Sequence, residues 1–145
     1  FGMEYTDRDG TKKNPYIIHR TSIGCYERTL AYLIEKYAGA FPCWLAPTQV
    51  KILNIADAHL EYANSLKAKL ESYGLRVELD DRNEKIGRKI RDNELKRIPY
   101  LLIVGEKEQE NGQLSVRKQG AGDMGAMTVE EFAKIVNDEV KKYID

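Results

Sequence analysis

The residues from Asp80 to Arg97 form the densest cluster of charged side chains in the chain, with seven basic and five acidic side chains in eighteen positions. Arginine, lysine and asparagine donate hydrogen bonds to phosphates and to base edges, so this stretch has the chemistry to contact a polyanion. The other interpretation is a helix whose charged face is simply solvated, which is the commoner meaning of such a run. The net charge of the chain is zero, so any binding of nucleic acid must come from a local patch.

The spacing within this charged stretch predicts an amphipathic helix that ends before Pro99. Asp81 and Glu84 have the spacing of a capping box, in which both side chains accept hydrogen bonds from free backbone N–H groups. Ile86 and Ile90 then lie on one face of the helix. The opposite face is predicted to be exposed and charged, with Lys85, Arg88, Lys89, Asp92 and Lys96.

Residues with catalytic or metal-binding chemistry are sparse elsewhere. His19 and His59 have no partners at a suggestive spacing, and Cys25 and Cys43 form neither a CxxC motif nor a disulfide framework. The stretch Gly120–Gly125 resembles a GxGxxG string, but it follows a hairpin strand and lacks the βαβ context of that motif, so we predict a loop. These residues give no support for a free-standing hydrolase or oxidoreductase.

The elements that must position the charged stretch alternate between strands and helices. We expect an α/β fold with a mixed sheet, largely parallel and with an antiparallel hairpin, flanked by helices and preceded by a separate β-hairpin and helix. The predicted elements are a hairpin over 1–20, a helix ending at Gly39, a strand over 50–55, a helix over 57–73 capped by Asp57, a strand over 75–79, the charged helix, a buried strand over 100–104, a polar turn over 105–112, a strand over 114–117, a glycine loop over 119–125 and a helix opened by the capping box of Thr128 and Glu131.

Composition also limits location and binding class. The longest apolar runs are far shorter than the roughly 20 residues that cross a membrane, and two unpaired cysteines are typical of a reducing compartment, so we expect a cytoplasmic protein that does not bind membranes. A small-nucleotide-binding domain would need a phosphate-binding loop after its first strand, and Ala56–His59 has no such pattern.

From about Pro15 onward the chain resembles the C-terminal part of bacterial threonyl-tRNA synthetases, which are class II aminoacyl-tRNA synthetases. The resemblance covers almost the whole chain without an evident gap, and the combination of motifs is specific to threonine enzymes. The motifs that carry it are Ile18–Arg20, Gly24–Arg28, Tyr37–Pro42 with Trp44–Pro47, Arg82–Gly87 with Lys89–Arg91, Pro99–Leu101 and Gly105–Glu108.

This resemblance implies that residues 1–41 are the end of the catalytic domain. Arg28 would contact the ATP phosphates as a catalytic residue, Gly24 and Cys25 would border the adenine, and His19 would be one of three zinc ligands. ATP, Mg²⁺ and Zn²⁺ would serve the parent enzyme, a homodimer that uses threonine. The family often has Ala at Thr21 and Ser at Cys25. We expect the chain alone to be inactive in aminoacylation and to bind none of these cofactors, because the other zinc ligands and the first two class II motifs are absent from it.

The same resemblance implies that residues 42–145 are an anticodon-binding domain that contacts the anticodon loop of threonine tRNA. Sequence-specific RNA recognition targets unstacked loop bases through their hydrogen-bonding edges. Arg88 and Arg97 are candidates for phosphate contact or for internal pairing. A non-enzymatic accessory or dimerisation module built on this fold is the alternative function. The candidate base-contacting residues are Asn83, Lys85, Arg91, Glu108 and Arg117.

Overall fold

A computed structural model describes residues 2–144, and within them the chain forms two compact units that meet in sequence at residues 31 and 32. The predicted start of the first hairpin at Phe1 lies outside the described residues. The predicted boundary near residue 41 concerns the origin of the two segments rather than their packing, and it stays a prediction. None of the helices in the described range is both long and apolar enough to span a bilayer.

The amino-terminal unit contains the predicted β-hairpin in a short form. Strand β1 (Tyr5–Thr6) pairs antiparallel with β2 (Lys12–Lys13). The turn closes where the N–H of Gly10 donates to the carbonyl of Asp7 at 2.9 Å, and Gly10 takes the positive φ of 80° that such turns favour. The predicted extension over Pro15–His19 is not a strand within this unit, where Pro15 is half-buried, the other four residues are exposed and none pairs with a strand. Helix α1 (Tyr26–Tyr37) follows.

The second unit is built on a five-stranded mixed sheet with the order β4-β3-β5-β6-β7, which confirms the predicted fold class. The first three strands in this order are parallel, and β5, β6 and β7 form an antiparallel meander. Strand β5 is therefore central and β4 lies at an edge, as their hydrophobic patterns predict. The strands are β3 (Val50–Asn54), β4 (Val77–Asp80), β5 (Tyr100–Val104), β6 (Leu114–Lys118) and β7 (Gly122–Met127).

Helices cover both faces of this sheet, because alternate residues of each strand point to opposite sides. On one face α2 (Leu60–Ser72) and α5 (Val129–Ile144) pack on the larger core around Ile52, Leu102 and Val116. On the other face α3 (Ile86–Leu95) covers a smaller core around Leu53 and Leu101.

Of the two N-terminal caps predicted for the helices on the larger core, one is confirmed and one is wrong. Thr128 and Glu131 form the predicted capping box of α5, since the N–H of Thr128 donates to Glu131 Oε2 at 3.0 Å and the N–H of Glu131 donates to Thr128 Oγ1 at 3.3 Å. The predicted cap of the second helix is wrong. Asp57 instead opens a short 3₁₀ helix (Asp57–His59), and α2 begins after it without a side-chain cap.

Two further predictions in this unit are wrong. The segment predicted as a polar turn contains helix α4 (Glu106–Asn111), which Gly112 ends in a left-handed conformation at φ 63°. The glycine loop predicted over 119–125 is a turn only at residues 119–121, and strand β7 begins at Gly122 because β6 supplies its hydrogen-bonding partner. The sheet thus has one more strand than the sequence pattern indicates.

The charged stretch also differs from its prediction. Helix α3 begins only at Ile86, with Lys85 at the N-cap, and Asp81 and Glu84 form no capping box there. Lys89, predicted on the exposed face, is only 1% exposed. It lies at the carboxyl ends of β3 and β4, where polar backbone groups surround its ammonium.

Candidate nucleic-acid interface

A cavity of about 360 Å³ lies between α3 and the β6–β7 hairpin, and it brings together two of the predicted base-contacting residues. Arg91 comes from the exposed face of α3 and Arg117 from β6. The apolar part of the lining consists of Leu95, which is 72% exposed, and the nearly buried Ile98 and Leu101. Planar guanidinium groups above an apolar surface suit a flat, polar ligand such as a nucleotide base.

Arg117 is positioned by an irregularity in the sheet. The β6–β7 register shifts between Val116 and Arg117, and such bulges turn a side chain away from its regular direction. Arg117 Nη2 donates to Glu94 Oε1 at 3.3 Å, across the cavity from β6 to α3. Its Nε is buried and has no acceptor among residues 2–144. Its Nη1 forms no hydrogen bond with a described residue and the side chain is 34% exposed, so this nitrogen, unlike the buried Nε, can donate to a ligand.

Asn83 and Lys85 lie in the loop between β4 and α3, at the carboxyl ends of the parallel strands. Both side chains are exposed and form no hydrogen bond with other described residues. Asn83 lines a separate cavity of about 240 Å³ that also includes Asn54 and Arg82. The structure therefore does not bring Asn83 into the cavity of Arg91 and Arg117.

A network of buried polar groups holds this loop. Arg82 donates through Nε to Asp80 Oδ1 at 2.8 Å and through Nη2 to Asp80 Oδ2 at 2.7 Å, and its Nη1 reaches Asp92 Oδ2 at 3.0 Å. Asn93 donates to the same carboxylate at 2.8 Å. The Arg82 guanidinium, helped by Asn93, holds the pKa of Asp80 well below its usual range although burial acts against it. Neither Asp80 nor Asn93 was singled out from the sequence, because isolated polar residues give no periodic signal.

The carboxylate of Glu108 is fixed at the start of α4. Its Oε2 accepts from the N–H of Gly105 at 3.0 Å, and its Oε1 accepts from the hydroxyl of Ser115 at 2.7 Å. Burial raises the pKa of this carboxyl, but the hydrogen bonds from Ser115 and the backbone outweigh it and the pKa is lowered. Glu108 is therefore ionised at neutral pH, and each oxygen keeps a lone pair for a further donor.

Lys118 also lines the cavity of Arg91 and Arg117, and the sequence did not identify it. Its ammonium donates to Glu139 Oε2 at 2.8 Å and lies 5.2 Å from the centre of the Tyr100 ring. The Tyr100 hydroxyl donates to the same carboxylate, and burial together with Glu139 raises the pKa of Tyr100 to about 12. A lysine at the end of an alternating strand has no pattern that would predict this triad.

The candidates of the amino-terminal unit occupy an exposed segment. Gly24 has φ 79° and its N–H donates to Thr21 Oγ1 at 3.0 Å, while the Cys25 thiol donates to Glu27 at 2.6 Å. Arg28 and His19 are exposed. Nowhere in the described part of the chain do three His, Cys, Asp or Glu side chains come together as a metal site.

The anticodon binding domain family model matches residues 49–139, which include both cavities and Glu108. The chain is 57% identical over all 145 residues to a threonine–tRNA ligase of Bacteroides thetaiotaomicron, and 56% identical over 140 residues, 97% of the chain, to one of Clostridium perfringens. It spans about one fifth of the length of these relatives, 22% in each case.

A solved structure shares this fold. The RNA binding domain of threonyl-tRNA synthetase from Cryptosporidium parvum superposes with a TM-score of 0.74 at 28% identity, covering 78% of this chain and 28% of that one. Together with the curated relatives, it confirms the resemblance to threonyl-tRNA synthetases that the sequence motifs predict.

Proposed function

The chain belongs to the anticodon-binding domain family, and on that premise we propose that it recognises the anticodon loop of threonine tRNA as part of a threonine–tRNA ligase. The observation that carries this proposal is the cavity shared by Arg91 and Arg117, which lies within the residues that the family model matches. A basic, partly apolar concavity in a chain of zero net charge suits a loop with exposed bases better than it suits a free anion.

Arg91 and Arg117 would donate hydrogen bonds to the edges of loop bases. An arginine can donate two parallel bonds to the outer edge of guanine, and such a pair contributes about 1–3 kcal/mol of discrimination. Arg117 is suited to this role because its Nη1 has no hydrogen-bond partner among residues 2–144 and its Nη2 bond to Glu94 is partly exposed.

Glu108, Asn83 and Lys85 would add contacts from the edge of the sheet at which the parallel strands end, whereas Arg117 lies beside the start of β5. The ionised carboxylate of Glu108 can accept from the ring N–H and amino group of guanine. Asn83 offers both a donor and acceptor, and Lys85 offers a positive charge for a base or a phosphate. Asn83 and Lys85 share the loop between β4 and α3 and Glu108 lies on α4, which suits contacts to different nucleotides of one RNA loop.

The parent ligase would join threonine to its tRNA through a threonyl-adenylate formed from ATP with Mg²⁺, and would act as a homodimer. Arg28 is exposed and forms no ion pair with any described residue, so its guanidinium fits a contact to the ATP phosphates, with Gly24 and Cys25 beside the adenine. A zinc site needs about three protein ligands. The residues described do not fit zinc by themselves, because His19 has no second and third ligand among them.

Binding of the purified chain to a labelled anticodon stem-loop of threonine tRNA tests the proposed function. We expect binding that weakens steeply with salt, because each neutralised phosphate of a single-stranded loop releases about 0.7 counterion. The variant Arg117→Ala should lose about tenfold or more in affinity for this loop, since a bidentate base contact is worth about 1–3 kcal/mol.

Two controls make this test decisive. Lys67→Ala removes a cation from α2, on the other face of the sheet, and it should bind like the parent chain. Among the described residues Lys67 pairs with Glu71 alone, at 3.7 Å. A stem-loop with the same stem and a scrambled anticodon should bind more weakly. Equal affinity for both loops would contradict sequence-specific recognition.

A further inference from the structure

Arg97 has a backbone conformation that arginine rarely adopts. It follows Lys96, the C-cap residue of helix α3, with a φ of 59°, in the left-handed region. Its N–H donates to the carbonyl of Glu94 at 3.0 Å, and the N–H of Ile98 donates to that of Asn93 at 3.4 Å. Helices that end with this pair of bonds usually carry glycine at the left-handed position, because a Cβ atom is strained there.

The side chain of Arg97 makes no polar contact with the described residues that would offset this backbone strain. It is exposed, and within the described range it forms neither an ion pair nor a hydrogen bond. Three other arginines of this surface are all paired, since Arg82 contacts Asp80, Arg88 contacts Glu84 and Arg117 contacts Glu94. Internal pairing, one of the two roles that the sequence allows for Arg97, is therefore not observed.

The surroundings of Arg97 are positively charged and concave. It lines the cavity of Arg91, Arg117 and Lys118, where Glu94 is the only acidic residue of the lining. It also lines a neighbouring cavity of about 220 Å³ with Lys51, Glu78 and Lys96, in which Lys51 is paired with Glu78 at 2.6 Å. Arg97 thus borders two cavities in which basic side chains outnumber acidic ones, and such surroundings suit a phosphate.

We propose that Arg97 binds a backbone phosphate of the anticodon loop, beside the base contacts of Arg91 and Arg117, and that its strained conformation is retained for this contact. The inference rests on the proposed function and extends it. A phosphate contact carries no sequence information, so Arg97 contributes to affinity for any RNA loop and not to the choice between loops.

The variant Arg97→Gly separates a phosphate contact from a structural role. If Arg97 binds phosphate, this variant should bind RNA more weakly while its stability stays the same or increases. Glycine adopts the left-handed conformation without strain, so the thermal midpoint should stay unchanged or rise by up to about 4 °C. Loss of one phosphate contact should reduce the slope of log affinity against log salt by about 0.7, which at 0.1 M salt is about a fivefold loss of affinity. The loss should be equal for the threonine loop and the scrambled loop.

Two matched variants complete the experiment. Ala38 also has a positive φ, 48°, and Ala38→Gly relieves the same kind of strain without removing a charge. It should match Arg97→Gly in stability and bind RNA like the parent. Arg97→Lys keeps the charge and should retain most of the affinity without the gain in midpoint.

The outcomes are distinct. Unchanged affinity and salt slope in Arg97→Gly, with normal binding by the parent chain, would overturn the inference and leave the proposed function intact. A clearly lower thermal midpoint would also overturn it, because Arg97 would then stabilise the fold. Absence of binding by the parent chain to the threonine loop would overturn the proposed function and the inference together.

Discussion

Replacement of Lys89 by methionine should strongly destabilise the second unit. The buried ammonium donates to the carbonyl of Asn54 at 3.1 Å, to the side-chain oxygen of Asn54 at 2.9 Å and to the carbonyl of Asp80 at 3.0 Å. These bonds use all three of its donors. They join helix α3 to the carboxyl ends of β3 and β4, next to the loop that carries Asn83.

The expected loss in free energy of unfolding follows from the hydrogen-bond acceptors that lose the Lys89 ammonium. Methionine has a similar length but no donor, so three buried acceptors lose a partner at a cost of about 1–3 kcal/mol each. Removal of a buried ammonium recovers several kcal/mol of lost hydration. We therefore expect Lys89→Met to lower the free energy of unfolding by about 2–4 kcal/mol, a large part of the roughly 5–15 kcal/mol typical of a domain.

Urea unfolding followed by tryptophan fluorescence measures this change. The chain has one tryptophan, Trp44, which stacks on Tyr143 with ring centres 6.4 Å apart and so reports on the second unit. With an m-value of about 2 kcal/mol/M, the midpoint should fall by about 1–2 M. Lys85→Met, at the exposed N-cap of the same helix, is the control and should change stability by less than about 0.5 kcal/mol. An equally small change in Lys89→Met, at unchanged m, would refute this account of Lys89.

Three further predictions concern charge and burial. The pKa of Asp80 is depressed in the folded state, so its stabilising effect is present above the unfolded pKa of about 4 and is lost as pH falls below it. The urea midpoint should therefore fall less between about pH 5 and 3 in Asp80→Asn than in the parent. Equal falls would contradict a depressed pKa of Asp80. Glu94→Gln frees Arg117 from its exposed ion pair and should raise affinity for the anticodon loop about two- to fivefold in a binding titration; weaker binding would instead indicate that Glu94 contacts the RNA. Burial, with the nearby charge of Glu139, raises the pKa of the Cys43 thiol to about 11. A thiol reagent at pH 8 should therefore label only the exposed Cys25 in the folded chain and both thiols in urea. Two reactive thiols in the folded chain would disprove the protection of Cys43.

Much of the sheet could be predicted because its strands carry strong local patterns. The unbroken apolar run Tyr100–Val104 requires cover on both faces, and it is the central strand. Thr128 and Glu131 mark the start of α5 through a local bond pattern that needs no tertiary partner. The same signal fails at α3, where Asp81 and Glu84 have the spacing of a capping box and form none.

The missed elements depend on contacts distant in sequence. Strand β7 is rich in glycine and looks like a loop until β6 pairs with it. Helix α4 has six residues and no apolar periodicity, and it is held from outside where the Tyr62 hydroxyl donates to the carbonyls of Glu108 and Gln113 at 3.3 and 3.1 Å. Neither contact can be inferred from the segment itself.

The same limit applies to the candidate interface. The motif from Arg82 to Gly87 identifies a family and so a set of candidate residues, but not which of them share a cavity. Lys89 shows why, since a helical wheel places it among solvated charges, whereas its acceptor Asn54 is 35 residues away. A charged residue becomes a core residue only when distant polar groups surround it.

The ion pair between Lys118 and Glu139 has a thermodynamic consequence for association. A lysine that becomes fixed on binding loses rotamer entropy worth up to about 1.5–2 kcal/mol. Lys118 has already lost this freedom on folding, because Glu139 holds its ammonium and the Tyr100 ring lies against it. Arg91 and Arg97, which no described carboxylate holds, lose theirs only when a ligand arrives. Because Glu139 belongs to α5, on the face of the sheet opposite α3, the ordered cation of Lys118 serves the fold, whereas the ordering of Arg91 and Arg97 opposes binding entropically.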